Sequence, residues 1–406
     1  MAFFTARQPI LDIEKDVFAY ELLFRDSLKN VFPDVPPNEA TLKMVEGLQL
    51  NLGLDTLTQN KLAFINFTEE TLLERFPLML PREQVVVEVL ETVTPNKKLL
   101  AVVKELKQEG YTVALDDYEH APVWKHFYPY TDIIKIDWKL TSIDEIRQVI
   151  QDISDFPHIK LLAEKVETHE EFEIAKELGF CYFQGYFFSK PEVLQSRALT
   201  SSQMALAELM AEMAKEDPNI DLIVQAFEVD VNLSFKLLRY SQSPIFKRRS
   251  EITNIKQAIV ALGQQELRRF VSLLFTTHIS AGKPAELTTM SLVRARFCES
   301  LSKLPDQTHE PASAFLVGLL SLLDAMLDTE LSDLLNKLPL ANSIKQPLCE
   351  GEGLLASYLS LCHAFEAANW ANAGLIANQI EVDFDQSAHI YLESVKWAIE
   401  RMSIND

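Results

Sequence analysis

The sequence predicts an eight-stranded α/β barrel of the TIM-like (β/α)8 kind followed by an all-helical domain. Over the first 190 or so residues, short apolar β-prone runs alternate with segments of helical spacing, which implies a parallel sheet closing on itself. Most of those runs end in, or carry, a carboxylate, an amide or a lysine. From about Leu199 onward, helical spacing takes over and alternating runs become scarce.

In chain order, Gln8-Pro9-Ile10-Leu11-Asp12 starts the first strand, and Val17-Phe18-Ala19-Tyr20 leads into Glu21 in the next. Leu62-Ala63-Phe64-Ile65 precedes Asn66, and Val85-Val86-Val87 precedes Glu88 and Glu91. Thr112-Val113-Ala114-Leu115 ends in the adjacent pair Asp116-Asp117. Ile133-Ile134 precedes Lys135 and Asp137, Leu161-Leu162-Ala163 precedes Glu164 and Glu167, and Tyr182-Phe183 precedes Gln184. Between the runs, residues 40–50, 97–108, 143–153 and 170–178 carry apolar residues at helical spacing. In barrels of this kind the strand ends at one face build the active site. Two adjacent acids repel unless a cation or a proton is shared, so the expected mouth is a divalent-metal site.

Composition narrows the function. The net charge of −21 argues against non-specific binding to nucleic acid or anionic lipid. With only 11 glycines and no G-x-G-x-x-G or Walker-type loop, a bound phosphate has to be held by metal, Arg or Lys. Four cysteines without a C-x-x-C pair fit neither a zinc ribbon nor a disulfide framework, and the expected setting is a reducing cytoplasm. The longest greasy stretch, 314–323, is far short of the ~20 residues that span a bilayer, so no membrane association is expected.

Taken together, these strand ends resemble the EAL family of cyclic di-GMP phosphodiesterases, over residues 1–195. Glu21-Leu22-Leu23-Phe24-Arg25 is similar to the family's Glu-Ala-Leu-Leu-Arg, and Asn66 matches its asparagine. Glu88-Val89-Leu90-Glu91-Thr92 is similar to Glu-Leu-Thr-Glu, Asp116-Asp117 to the paired aspartates, and Ile134-Lys135-Ile136-Asp137 to Lys-Ile-Asp. Glu164-Lys165-Val166-Glu167-Thr168 resembles Glu-Gly-Val-Glu-Thr, and Gln184-Gly185-Tyr186 resembles Gln-Gly-Tyr. The resemblance implies a two-metal site for Mg²⁺ or Mn²⁺, with Glu21, Asn66, Glu88 and Asp116 on one ion and Asp117 facing the second. It makes Glu164 the general base supported by Glu167, and Lys135 the group that orients the attacking water. Gln8, Arg25 and Gln184 then contact substrate, Glu91 supports the loop after the aspartates, and the barrel forms a homodimer through that loop.

Two departures bear on turnover. Where the family continues Phe-Gly-Thr-Gly after the aspartates, this chain has Tyr118-Glu119-His120-Ala121-Pro122. Lys165 stands in place of a glycine beside Glu164. The resemblance thus implies hydrolysis of cyclic di-GMP to linear pGpG, with a catalytically degenerate barrel acting as a cyclic di-GMP receptor or scaffold as the alternative.

Residues 200–406 resemble the HDOD domain, through 233–244, 255–263 and 315–323. Related HD phosphohydrolases bind metal through a His-Asp doublet, but Ser321-Leu322 occupies that place, so no metal chemistry is expected here. The resemblance implies protein partners. A local basic excess over 230–300, densest at Lys247-Arg248-Arg249 and Arg268-Arg269, reads as a solvated face or as a docking surface for an acidic partner. His278, alone near a helix end, reads as packing or capping.

Overall fold

The computed structural model describes residues 4–25, 54–191, 200–241, 254–338 and 340–402, apart from 216, 230, 306, 308 and 309. The expected helix over 40–50 and the basic run Lys247-Arg248-Arg249 lie outside the described residues. Two compact units result, Met1–Lys190 with His363–Leu392, and Pro191–Cys362 with Glu393–Asp406.

The first unit holds a closed barrel of eight strands: β1 (Phe4–Asp12), β2 (Val17–Arg25), β3 (Leu62–Phe67), β4 (Val85–Val89), β5 (Thr112–Leu115), β6 (Ile133–Asp137), β7 (Lys160–Glu164) and β8 (Tyr182–Gln184). Strands β2 to β8 run parallel, whereas β1 is antiparallel to both β2 and β8. The all-parallel expectation is corrected at this one strand. Its connection to β2 is a short turn in which Asp12 Oδ1 accepts from Glu14 N (3.0 Å) and Asp16 N (2.9 Å), and Lys15 takes φ 67°. So short a link reverses the chain, while a parallel crossover needs a dozen or more residues.

Helices Lys97–Gln108, Ile143–Asp152 and His169–Glu177 fall where spacing places them. Asn96 caps the first with its side chain, and Ser142/Glu145 and Thr168/Glu171 form capping boxes on the other two. Leu99, Val102, Val103 and Leu106 form the buried stripe of the first. Between β5 and β6 the chain instead makes two 3₁₀ turns, Pro122–His126 and Tyr128–Tyr130, each with a proline in its first turn.

The barrel interior is layered. Ile10, Ala19, Phe64, Val86, Ala114, Ile133 and Leu162 pack as an apolar floor, with Tyr182 against it. Side chains two apart on a strand share a face, so the layer above the floor is Glu21, Asn66, Glu88, Asp116, Lys135, Glu164 and Gln184. The reversed β1 supplies Gln8, opposite Glu21 in register.

The second unit is helical. Helix Ile255–Ile279 breaks at Gly263 (φ 75°, ψ 164°), matching the two segments, 255–262 and 266–275, that spacing separates. Gly318 lets helices Ala285–Leu301 and Pro311–Leu320 touch, since a Cβ there would lie 2.3 Å from the Arg294 carbonyl oxygen. His278 is exposed in the last turn of its helix. Among the described residues no helix is long and apolar enough to cross a membrane.

Neither reading of Arg268-Arg269 holds, because both side chains are buried. Arg268 donates to the Met213 carbonyl through Nε (3.2 Å) and Nη2 (2.8 Å). Arg269 pairs with Glu266 and, at 3.2 Å, with Glu299. Their positive charge is spent within the unit.

Candidate active site

Strand geometry alone brings the polar layer together at the mouth. Lys135 Nζ, fully shielded from solvent, stands 2.5 Å from Glu88 Oε1, 2.7 Å from Asp116 Oδ1, 3.0 Å from Glu164 Oε1 and 3.3 Å from Glu21 Oε2. Amides tie Glu21 down from two sides: Asn66 Nδ2 donates to Oε1 (3.0 Å) and Gln184 Nε2 to Oε2 (2.7 Å). Gln184 Nε2 also donates to Gln8 Oε1 (2.9 Å).

One ammonium faces four carboxyls in a dry site, and the protonation states follow. Burial favours the uncharged lysine, but Asp116, Glu164, Glu21 and Glu88 together hold Lys135 well above its ordinary range. Burial pushes Glu88 and Glu164 well up, against the pull of Lys135, with neighbouring acids adding to the rise. Asp116 is raised to about 6 by burial, Glu21 and Asp117, with Lys135 opposing. Glu21 goes the other way: burial is outweighed by Lys135 and the amides of Gln184 and Asn66.

Several buried oxygens still lack a hydrogen-bond donor: Asn66 Oδ1, Glu88 Oε2, Glu164 Oε2, Asp117 Oδ1 and Gln184 Oε1. Hard oxygen donors, buried and underused at one mouth, fit a hard divalent cation. Among the described residues no three acidic, histidine or cysteine groups are spaced to hold a metal as they stand.

Above this layer opens a cavity of about 650 Å³, with Gln8, Glu21, Asn66, Glu91, Asp116, Asp117, Glu164, Glu167 and Gln184 in its walls. Glu91 and Glu167 are exposed there, and Glu167 lies near Lys139 (3.7 Å) and Lys190 (3.8 Å). The side chain of Arg25 lies outside the described residues; its backbone ends β2 opposite Phe4. Gly185 (φ 143°) carries the chain past Val166, whose carbonyl oxygen would be 2.1 Å from any Cβ.

Both departures have a structural account. Lys165 sits at φ 57°, a left-handed conformation glycine adopts freely, which explains the family's preference there. Its ammonium pairs with Asp137 and stands 3.7 Å from Asp117 Oδ1. The loop after the aspartates is pinned rather than glycine-rich. Tyr118 N donates to the Lys135 carbonyl (2.9 Å), Tyr118 and Tyr128 share a buried hydroxyl contact (2.8 Å), and His120 and Lys125 both reach Asp152 (2.8 Å each).

Comparison with known proteins connects the sequence to a family. Residues 2–191 fit the model of the EAL domain and residues 199–338 that of the HDOD domain. The chain is 38% identical over 397 residues to the cyclic di-GMP phosphodiesterase CdgJ of Vibrio cholerae, covering 97% of this chain and 92% of that one. The chain belongs to the EAL–HDOD family. YuxH of Bacillus subtilis is 34% identical across 98% of both chains. The EAL domain of DcpA from Mycobacterium smegmatis is 21% identical, with a TM-score of 0.36 over 46% of this chain and 91% of that structure.

Sequence reading missed the segment that completes the cavity wall of the EAL barrel, Ala367 and Ala368. Small uncharged residues far along the chain carry no motif that would place them at a barrel mouth.

Proposed function

We propose that the barrel hydrolyses cyclic di-GMP to linear pGpG, and that the helical domain over 200–406 serves protein contacts. The observation that carries this reading is the convergence of Glu21, Asn66, Glu88, Asp116, Lys135, Glu164 and Gln184 from seven strand ends onto one buried cluster, in a chain 38% identical to a named cyclic di-GMP phosphodiesterase.

Glu21, Asn66, Glu88 and Asp116 would hold one Mg²⁺ or Mn²⁺, and Asp117 would face a second. Such ions supply charge that polarises the phosphoryl oxygens and lowers the pKa of water, and their charge would return Glu88 and Glu164 to the carboxylate form. Glu164 takes the proton from water as its oxygen bonds to phosphorus; the P–O3′ bond breaks, the 3′ oxygen takes up a proton from solvent and Glu164 returns its own to solvent, giving a 5′-phosphorylated linear dinucleotide. Lys135 holds the acids in register from beneath and offsets the negative charge that develops. Gln8 and Gln184 present side-chain amides to the substrate, and Arg25 supplies a guanidinium fork for a phosphate. Glu91 and Glu167 stay at the rim, Glu167 oriented by Lys139 and Lys190.

A receptor without turnover is the second reading, favoured by Lys165, whose ammonium already lies beside Asp117. The deciding experiment is turnover of cyclic di-GMP with Mg²⁺ or Mn²⁺, beside equilibrium binding in Ca²⁺, for wild type, Glu21→Ala and Glu164→Gln. Linear product lost in both variants supports the enzyme. Tight binding without product makes the barrel a receptor, and neither result leaves a scaffold.

A further inference from the structure

We propose that the turn Glu366–Ala368 is a specificity-determining wall of the substrate pocket. This inference rests on the reading of the cavity as a cyclic dinucleotide site.

Gln8, at the inner edge of the mouth, is bound at both ends of its side-chain amide. Its Oε1 accepts from Gln184 Nε2, and its Nε2 donates to the Glu366 carbonyl (3.1 Å). Because Gln184 Nε2 also donates to Glu21, a hydrogen-bond relay runs from the Glu366 backbone to a carboxylate of the buried cluster. Directly after Glu366, Ala367 and Ala368 line the cavity. The turn therefore fixes one substrate-facing amide and forms part of the wall beside it.

The turn is rigidly built. Helix Leu354–Glu366 ends where Ala368 takes φ 51°, and helix Trp370–Gln379 begins immediately after. Backbone bonds from Ala367 N to His363 O (2.9 Å), Ala368 N to Phe365 O (3.0 Å) and Asn369 N to Ala364 O (2.8 Å) close it. Phe365 stands at its base, 6.0 Å from Trp370, 5.7 Å from Phe384 and 5.3 Å from Tyr391, ring centre to ring centre. A wall anchored by four aromatic rings holds its position when ligand enters.

Its chemistry suits a base rather than a phosphate. Beside the carboxylates of the mouth, Ala367 and Ala368 offer only methyl groups and backbone, and with Leu23, Leu90 and Tyr186 they make up the apolar lining of the cavity. Uncharged surface next to an amide pair fits the flat face and N–H edge of a purine, and methyl side chains leave the width that a ring needs. The ligand class is accordingly a purine base of the cyclic dinucleotide, with the phosphates directed to the acidic cluster.

The test uses full-length protein with Ala367→Trp and Ala367→Val, their melting temperatures checked against wild type. The expected result is a KM for cyclic di-GMP about tenfold higher in Ala367→Trp, with a smaller rise in Ala367→Val and little change in kcat. Should wild type bind without turnover, the dissociation constant in Ca²⁺ is expected to move by the same factor. An unchanged KM or dissociation constant in Ala367→Trp and Ala367→Val overturns the wall alone, since wild type still acts on or binds the dinucleotide. A higher kcat/KM in Ala367→Trp also overturns it, by making the turn an obstruction. If wild type neither binds nor turns over, the reading of the cavity falls and the wall falls with it.

Discussion

Lys135 Nζ lies 2.5 Å from Glu88 Oε1 at the bottom of the barrel mouth, and neither side chain touches solvent. The pair sits under three further acids, so one ammonium supports the whole polar layer. Removing it leaves buried carboxyls with no cation. Lys135→Met is expected to cost the metal-free protein about 3–5 kcal/mol near neutral pH. Mg²⁺ or Mn²⁺ is expected to restore more of the melting temperature in the variant than it adds in wild type. Equal losses with and without the ion would show that the lysine is not electrostatically central.

Asp116 gives that cluster a pH signature. Its carboxyl titrates at about 6 when folded against 3.8 as its ordinary value, so folding favours the protonated form. A raised pKa contributes stability that is fully present below pH 4 and is lost as pH rises through 6. Glu88 and Glu164 shift in the same direction. Denaturant melts without metal are expected to show Asp116→Asn gaining up to about 3 kcal/mol over wild type at pH 7.5, with the gain vanishing near pH 4. A gain independent of pH would sink this account.

Lys165 separates the two readings of the barrel through its contact with Asp117. The pair is partly exposed, 52% and 37% at the side chains, which limits its worth to about 1 kcal/mol. Lys165→Gly removes that competing ammonium and relieves a left-handed φ. Titration with Mn²⁺ is expected to show about fivefold tighter ion binding in the variant. No change in ion affinity would place the lysine outside the metal chemistry.

The aspartate loop is held by its tyrosines. Burial raises the pKa of both hydroxyls, which keeps them neutral and lets each bond the other. Tyr118→Phe leaves the Tyr128 hydroxyl buried and unpaired, an expected loss of about 1–3 kcal/mol in thermal melts. Adding Tyr128→Phe is expected to recover part of it. Additive losses in the double variant would show that the hydroxyl contact contributes nothing.

Much of the barrel was legible because period-2 geometry is strict. Ala19 and Glu21, Phe64 and Asn66, Val86 and Glu88, and Leu162 and Glu164 all stand two apart, floor residue then site residue. A single sequence thus announces the site layer strand by strand. The antiparallel β1 was less visible, since strand propensity carries no direction; only the short link from Asp12 to Val17 encodes the reversal. Arg268 and Arg269 were misread because paired arginines on a helix resemble surface. Glu266 lies one turn from Arg269, but the partners that bury the pair, Met213 for Arg268 and Glu299 for Arg269, are tens of residues away in sequence. Glu366–Ala368 had no signal at all, because a backbone carbonyl and two methyl groups leave no chemical trace in a sequence.

Glu299 shows what those buried arginines do in the helical unit. Its carboxylate accepts Gln265 Nε2 (2.9 Å) and pairs with Arg269 (3.2 Å), Arg296 (2.7 Å) and Lys303 (2.9 Å), while its side chain is 3% exposed. Burial alone would raise its pKa, but Arg269, Gln265 and Lys303 pull it down to about 2. A lowered pKa contributes stability that is present above the ordinary value of 4.5 and is lost as pH falls toward 2. Glu299→Gln keeps the shape but leaves Arg269 without its most buried anion, an expected loss of about 3 kcal/mol at pH 7. Because an amide does not titrate, the gap between wild type and variant is expected to narrow below pH 4.5. Melts that stay equally separated from pH 7 to pH 3 would mean that packing, not charge, fixes this site.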